Sequence, residues 1–332
     1  MNAILRTFNP RLSLRTVLSA AVLLVTAQAS YAIEKQTLQL ATIEPSNTLW
    51  YKVADKFAKS VNEQTEGKVR IVISHSGTTG SVRESLEALQ FGTNDIVQTV
   101  IASLDPYSSL AAIESYPYLF KDAGHFQRVM NGPVGKDLYS SLRSATGFQL
   151  VGAGFRGARE LASKRPIESV DDLAGLKIRV PEIEIYRKTW STLGASPVPM
   201  GSSEVYTGLQ QGIIDAVENP LSAHIRSRYY EAADYLVMTG HVYSAYSFIF
   251  DSKRFETLSP ELQKILTEEG EKAMSWGSEE ALREADSYEK TLVEKGVKVI
   301  RPDLAPFRAK LEPLKSQFPD LAPWVERISA AE

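Results

Sequence analysis

Cysteine is absent from this chain, which excludes a disulfide framework, thiolate catalysis and a lipidated N-terminal cysteine. The four histidines, His75, His125, His224 and His241, never pair at the i, i+4 spacing of a helical zinc site. H-E-x-x-H, G-x-S-x-G and Walker motifs are missing, so neither the cofactor, the metal nor the nucleophile of an enzyme is announced. The run GTTGS at 77–81 has the composition of an anion-binding nest, yet so short a run is usually an ordinary loop. Beyond residue 32 no stretch of about 18 consecutive apolar residues occurs, so nothing there reads as a membrane span. Excess positive charge is lacking too: 37 basic side chains face 40 acidic ones, and no nucleic-acid partner is expected. There are no internal repeats and no low-complexity tracts.

What is present begins with an export signal. Arg6, Arg11 and Arg15 precede an apolar run from Val17 to Val25, followed by small residues at Ala27, Ala29, Ser30 and Ala32. That order is a secretory signal peptide over residues 1–32, with cleavage fitting after Ala29 or, preferred because Glu34 and Lys35 then open the mature chain, after Ala32. Its removal takes three arginines and no acids, leaving 34 basic against 40 acidic side chains, a net charge of −6. A monomer in the periplasm is expected, with about 300 residues, enough to bury two cores.

The remaining pattern alternates strand and helix. TLQLA (37–41), KVRIVIS (68–74) and DIVQTV (95–100) read as strands. A helix behind Asn47 as cap carries Leu49, Trp50, Val53, Phe57 and Val61 on one face, and Ser81 with Glu84 makes a capping box for a helix ending at Gly92. After a helical stretch around His125 to Leu142, FQLVG (148–152), GARELAS, LKIRVP (176–181) and ASPVPM read as separate strands, with an Ile183–Leu193 helix before the last. Ser203 is the expected cap of a helix over EVYTGLQQG, IIDAVEN (213–219) leads to a turn at Pro220, and SAYSFIF is again a strand. Leu258 to Glu294 reads as one long helix, interrupted by Gly270 and Gly277 and lacking a sustained heptad, packed across two lobes.

Cations gather near the strand ends of the second half: Arg156, Arg159, Lys164, Arg165, Lys177 and Arg179. Clefts between α/β lobes take small ligands, and arginine meets a carboxylate with two parallel hydrogen bonds. In LKIRVP, Leu176, Ile178 and Val180 form one face while Lys177 and Arg179 share the other. Geometry alone does not choose between these two cations.

The segments GARELASKRP, DDLAGLKIRVP, LGASPVPM, SSEVYTGLQQGIIDAVENP and RYYEAADYL occur in this order, with FAKSVNEQTEGKV and SYPYLF before them. In this the sequence resembles the solute-binding subunits of TRAP (tripartite ATP-independent periplasmic) transporters over essentially the whole mature chain. The resemblance implies an α/β, two-lobed, periplasmic-binding-protein-like fold with a hinge and a long helix across both lobes. The expected lobes are discontinuous: 33–156 plus 245–284, and 157–244 plus 285–332. It implies that Arg179 forms the principal salt bridge to a substrate carboxylate, that Arg159, twenty residues earlier, assists, and that Asn219, forty residues later, adds hydrogen bonds. Asn219 precedes a proline and equally suits a turn.

Sialic-acid binders of this group carry a phenylalanine where this chain has Ser202 and a glutamate where it has Val100, which argues against sialate. Gln98, Glu44, Asn47 and His75 are the polar candidates of the first lobe. Tyr206, at helical spacing with Leu209, is a packing residue or a support for Arg179 or Glu218. Glu218, beside Asn219, either orients an arginine from behind or stands solvated.

The function implied is capture of a small organic acid and its delivery to a small and a large integral membrane subunit, for uptake driven by an ion gradient. One strong carboxylate site with polar surroundings suggests a hexuronate, such as glucuronate or galacturonate, or an aldonate. A four-carbon dicarboxylate (succinate, malate or fumarate) is the rival, with Arg159 and Arg165 holding the second carboxylate; aromatic acids would use Trp50 and Phe155. Outside this class stand a ligand-sensing periplasmic module and a secreted hydrolase, the latter requiring clustered carboxylates that no motif supplies.

Overall fold

The computed structural model describes residues 33–331; the expected signal peptide lies outside them. Ten strands among the described residues are β1 (Gln36–Thr42), β2 (Val69–Ser74), β3 (Ile96–Val100), β4 (Phe148–Ser163), β5 (Lys177–Val180), β6 (Ser196–Pro199), β7 (Ala216–Pro220), β8 (Tyr235–Val237), β9 (Tyr243–Asp251) and β10 (Lys298–Ile300). They run in the order β2-β1-β3-β9-β4-β7-β5-β6, with β8 beside the far end of β4 and β10 beside β8. β1 pairs in parallel with β2 and β3, and β5 in parallel with β6 and β7, while β9 and β4 are antiparallel to their neighbours. Two parallel clusters are thus joined through two antiparallel strands, a two-lobed α/β architecture.

β4 makes the join, and it is one strand where the sequence suggests two. Its sixteen residues pair with β9 up to Ala158 and with β7 from Arg159 onward. Register shifts between Val151 and Gly154 and between Phe155 and Ala158 let it bend without breaking. Gly157 sits in the second shift at φ +104°, a conformation that L side chains rarely adopt. The glycines that suggest a loop in GAGFRGA therefore mark bulges.

Two large cores lie on opposite faces. On one, the helix Leu49–Gln64 buries Trp50, Val53, Phe57 and Val61 against Leu40, Phe248 and Met274, with Phe57 stacked 4.3 Å from Phe248. The other collects Phe126, Phe155, Leu161, Ile178, Trp190 and Phe307. The first helix is capped by Thr48, whose hydroxyl accepts from the Tyr51 N–H, and not by Asn47, which is exposed. The Ser81/Glu84 capping box forms as expected. Ser203 caps nothing: it lies within a 3₁₀ turn, Ser202–Glu204, that leads into a helix without a side-chain cap.

The long helix spans Pro260–Glu294, 35 residues or about 52 Å. Ser259 caps it and Pro260 takes the first turn, where the missing N–H costs nothing. Gly270 and Gly277 do not interrupt it. A Cβ at Gly270 would lie 2.4 Å from Val151 Cγ1, and one at Gly277 2.6 Å from Val53 Cγ2, so both glycines admit neighbours close to the helix axis. Ser278 Oγ accepts from the Phe155 N–H at 2.8 Å and ties the helix to the crossing strand. No helix among the described residues is long and apolar enough to cross a membrane.

Candidate ligand-binding site

The site is built at the strand ends of the second parallel cluster. β5 and β7 are paired in register, Ile178 with Ala216 and Arg179 with Val217. Ile178 and Val180 go into the large core, and Arg179 goes to the other face. Arg179 is 6% exposed as a residue, and its guanidinium donates from Nε and Nη2 to the Met200 carbonyl at 2.9 and 2.6 Å. Among the described residues no carboxylate comes within ion-pair distance of it. Burial, above all, lowers its pKa; Tyr229 and Glu218 oppose that, and the charge of Arg159 adds to it. Arg179 is a desolvated cation that no carboxylate among the described residues pairs with.

Arg159 is in the opposite position. β4 and β7 pair Arg159 with Pro220 and Leu161 with Glu218, which puts Arg159 and Glu218 diagonally on one face. The guanidinium grips both Glu218 carboxylate oxygens, Nη2 at 2.7 Å from Oε1, and reaches the Glu218 carbonyl at 2.8 Å. It lies over the Tyr186 ring at 5.0 Å, and His241 Nε2 stands 3.2 Å from Glu218 Oε2. Burial would raise the Glu218 pKa, but Arg159 and His241 reverse this and bring it down to about 2. Arg159 arrives neutralised, and Arg179 does not.

Asn219 pairs directly with Glu160 across β7 and β4, half-buried, on the face opposite to Arg159 and Glu218. Glu160, held up to about 7 by burial despite the Gly240 N–H at 2.8 Å, lines a cavity of 460 Å³ between the two parallel clusters. Glu44, Asn47, Arg156 and Arg226 also line it, whereas Arg159, Arg179 and Asn219 do not. Glu44 is fully buried beside it, ion-paired to Arg226 and accepting from the Tyr246 hydroxyl at 2.6 Å, with Arg156 Nη2 4.0 Å away. Burial would raise its pKa; Arg226 and Arg156 together lower it.

The chain as a whole resembles known proteins. A family model described as "Bacterial extracellular solute-binding protein, family 7" matches residues 40–320. A solute-binding protein of Roseobacter denitrificans is 32% identical over 295 residues, 87% of this chain and 90% of that protein. The chain belongs to family 7 of the bacterial extracellular solute-binding proteins. Two crystal structures of TRAP periplasmic solute-binding proteins resemble this family member closely, each at 28% identity. One, from Xanthobacter autotrophicus Py2 with bound β-D-galacturonate, has a TM-score of 0.85 and covers 89% of this chain and 100% of its own. The other, from R. denitrificans OCh 114 with bound L-galactonate, has a TM-score of 0.83 and covers 89% and 99%.

In this solute-binding protein several residues expected near a ligand are engaged with neighbouring protein groups. Gln98 is buried, accepting from the Thr42 hydroxyl at 3.0 Å and donating to the Trp50 carbonyl at 2.9 Å. His75 lies edge-on to Tyr51 and 2.9 Å from the Ser76 hydroxyl, away from the cavity. Tyr206 is 36% exposed and donates to Glu231 at 2.7 Å; it supports neither Arg179 nor Glu218. Lys177 turns to the Gly212 carbonyl at 2.9 Å on the surface. The GTTGS loop spends the N–H groups of Gly77 and Gly80 on carbonyls, so it forms no nest. Trp50 and Phe155 line the cavity but are buried by packing, Trp50 edge-on to Tyr246 and Phe155 stacked on Tyr243.

Arg165 differs from Arg159 in its surroundings. It is exposed, bonds to the Ala174 carbonyl and lies past the far end of β4. Four strand residues, about 13 Å, separate Arg159 from Ser163 along the backbone. Arg226, Tyr246 and His241 were not legible as candidates, because each meets its partner only through folding; Arg226 and Glu44 are 182 residues apart.

Proposed function

We propose that this protein captures a sugar acid, either a hexuronate such as glucuronate or galacturonate or an aldonate, with Arg179 as the clamp for its carboxylate. The observation that carries this is the buried Arg179 guanidinium, fixed by a backbone carbonyl yet without a carboxylate of its own. A fixed, desolvated guanidinium meets a carboxylate at little reorganisation cost. The galacturonate and galactonate in the two 28%-identical structures support the hydroxylated class. Arg159, held by Glu218 on β4 and β7, and the amide of Asn219 on β7 are the assisting groups in this reading, the amide able both to donate and to accept toward a polyol.

The ligand leaves unchanged; nothing in this reading calls for a cofactor. The lobes are 33–156 plus 245–284 and 157–244 plus 285–332, a division supported by the change of β4 from β9 to β7 at Arg159. Ligand draws the lobes together by contacts made only in the closed form. The closed, loaded monomer then meets a small and a large integral membrane subunit in the periplasm, and an ion gradient drives uptake.

Calorimetric titration with D-glucuronate, D-galacturonate, L-galactonate, succinate and malate tests the substrate class. Sugar acids should bind and the dicarboxylates should not; binding of succinate or malate alone defeats the proposal. Arg179→Ala should weaken the sugar acid by about 2 to 5 kcal/mol, roughly thirty-fold to several thousand-fold. Unchanged affinity in that variant would remove Arg179 from the site.

A further inference from the structure

Ligand capture through Arg179 leaves the charges around Glu44 without a task. Glu44 follows β1 in the first lobe, and Arg226 ends the helix Leu221–Arg226 that follows β7 in the second. Arg156 and Tyr246 stand on β4 and β9, the strands joining the two. Two guanidiniums therefore share one fully buried carboxylate, and the share is unequal. Arg226 binds Glu44 directly. Arg156 keeps Nη2 at 4.0 Å from it, has Nη1 3.4 Å from the Ser244 hydroxyl, and leaves Nε buried with no hydrogen-bond partner. The Arg156 side chain is 9% exposed and rests 4.0 Å over the Tyr246 ring. A buried guanidinium so poorly satisfied is costly unless another state of the molecule uses it better.

We propose that Glu44, Arg156 and Arg226 form a partner-exchange latch: Arg226 holds Glu44 across the cleft when the lobes are closed, and Arg156 takes the carboxylate over when they part. Separation carries Arg226 away with the second lobe, and a Glu44 buried with no cation would resist that strongly. Arg156, already beside the carboxylate on the joining strand, removes the penalty, so opening trades one ion pair for another. Arg226, at 27% exposure, is the member placed to re-enter water. This rests on the reading of the molecule as a hinged ligand trap, and sets how readily the trap reopens.

The absence of cysteine lets single cysteines at Lys59 and Ser191, on helices of the two lobes, carry spin labels without background. Pulsed EPR distances are taken with and without D-galacturonate, and ligand association and release by stopped flow. Arg226→Ala should lengthen the ligand-free distances and speed release about tenfold, while association changes by less than about threefold. Arg156→Ala should act in the opposite sense, shortening the mean distance and slowing release. Arg226→Lys, which keeps the charge, should restore most of the closure and guards against a loss of folding in the alanine variant. Parental distances in Arg226→Ala, or both alanine variants shifting the same way, overturn the latch. Failure of galacturonate to bind the parent would count against the sugar-acid reading, while the ligand-free distances still decide the latch.

Discussion

Glu160 and His224 place two buried titrations back to back, with opposite signs. The Glu160 carboxyl is raised to about 7, by burial first, so the folded protein holds its proton more tightly than the unfolded chain at 4.5. Its contribution to stability is intact below about 4.5 and is lost as pH rises through about 7. His224, lowered to about 4 by burial, contributes fully above 6.5 and loses this as pH falls toward 4. Over the shared window the two slopes oppose each other. Glu160→Gln keeps an acceptor for the Gly240 N–H and removes one slope. We expect the variant to exceed the parent by up to about 3 kcal/mol at about pH 8, with the advantage fading by about pH 5. Urea unfolding at the two pH values measures this, and parallel profiles for the two proteins would rule it out.

At the scale of elements, the glycines of the long helix carry a sharper test. Alanine at Gly270 gains up to about 1 kcal/mol of helix propensity but forces its Cβ against Val151, which costs about 1 to 3 kcal/mol in a close-packed core. Gly270→Ala should therefore lower stability, and adding Val151→Ala should recover part of the loss. A double-mutant cycle by chemical denaturation reads the coupling; strict additivity would mean that the contact is not what excludes alanine. Such tertiary facts explain what the sequence left dark. The Ser81 capping box and the alternation of KVRIVIS were legible because their partners are local. β4 read as two strands because its bulge glycines mimic a loop, and three-residue strands such as β8 and β10 are too short to show a period. Arg179 was singled out by family resemblance; that no carboxylate among the described residues pairs with it belongs to the fold. Asn47 looked like a cap because it stands one residue before Thr48.

For the molecule as a whole, binding that favours one closed state must appear as global stability. A sugar acid at one hundred times its dissociation constant should add about 2.7 kcal/mol. For a chain of about 300 residues that is a rise of about 4 °C in Tm, measurable by scanning calorimetry. Succinate should give no rise at the same concentration. A sugar-acid shift retained in full by Arg179→Ala would disconnect the clamp from the ligand.

The pairing of β3 with β9 also governs the order in which the protein can be made. β1, β2 and β3 are complete by residue 100, but the strand that seals the open edge of β3 ends at Asp251, after most of the second lobe. An N-terminal lobe would ordinarily fold first as the chain emerges; here it must wait with an unpaired edge while its neighbour is synthesised. Chains truncated before residue 243 should accordingly be cut within residues 33–100 by a protease that spares the full-length protein.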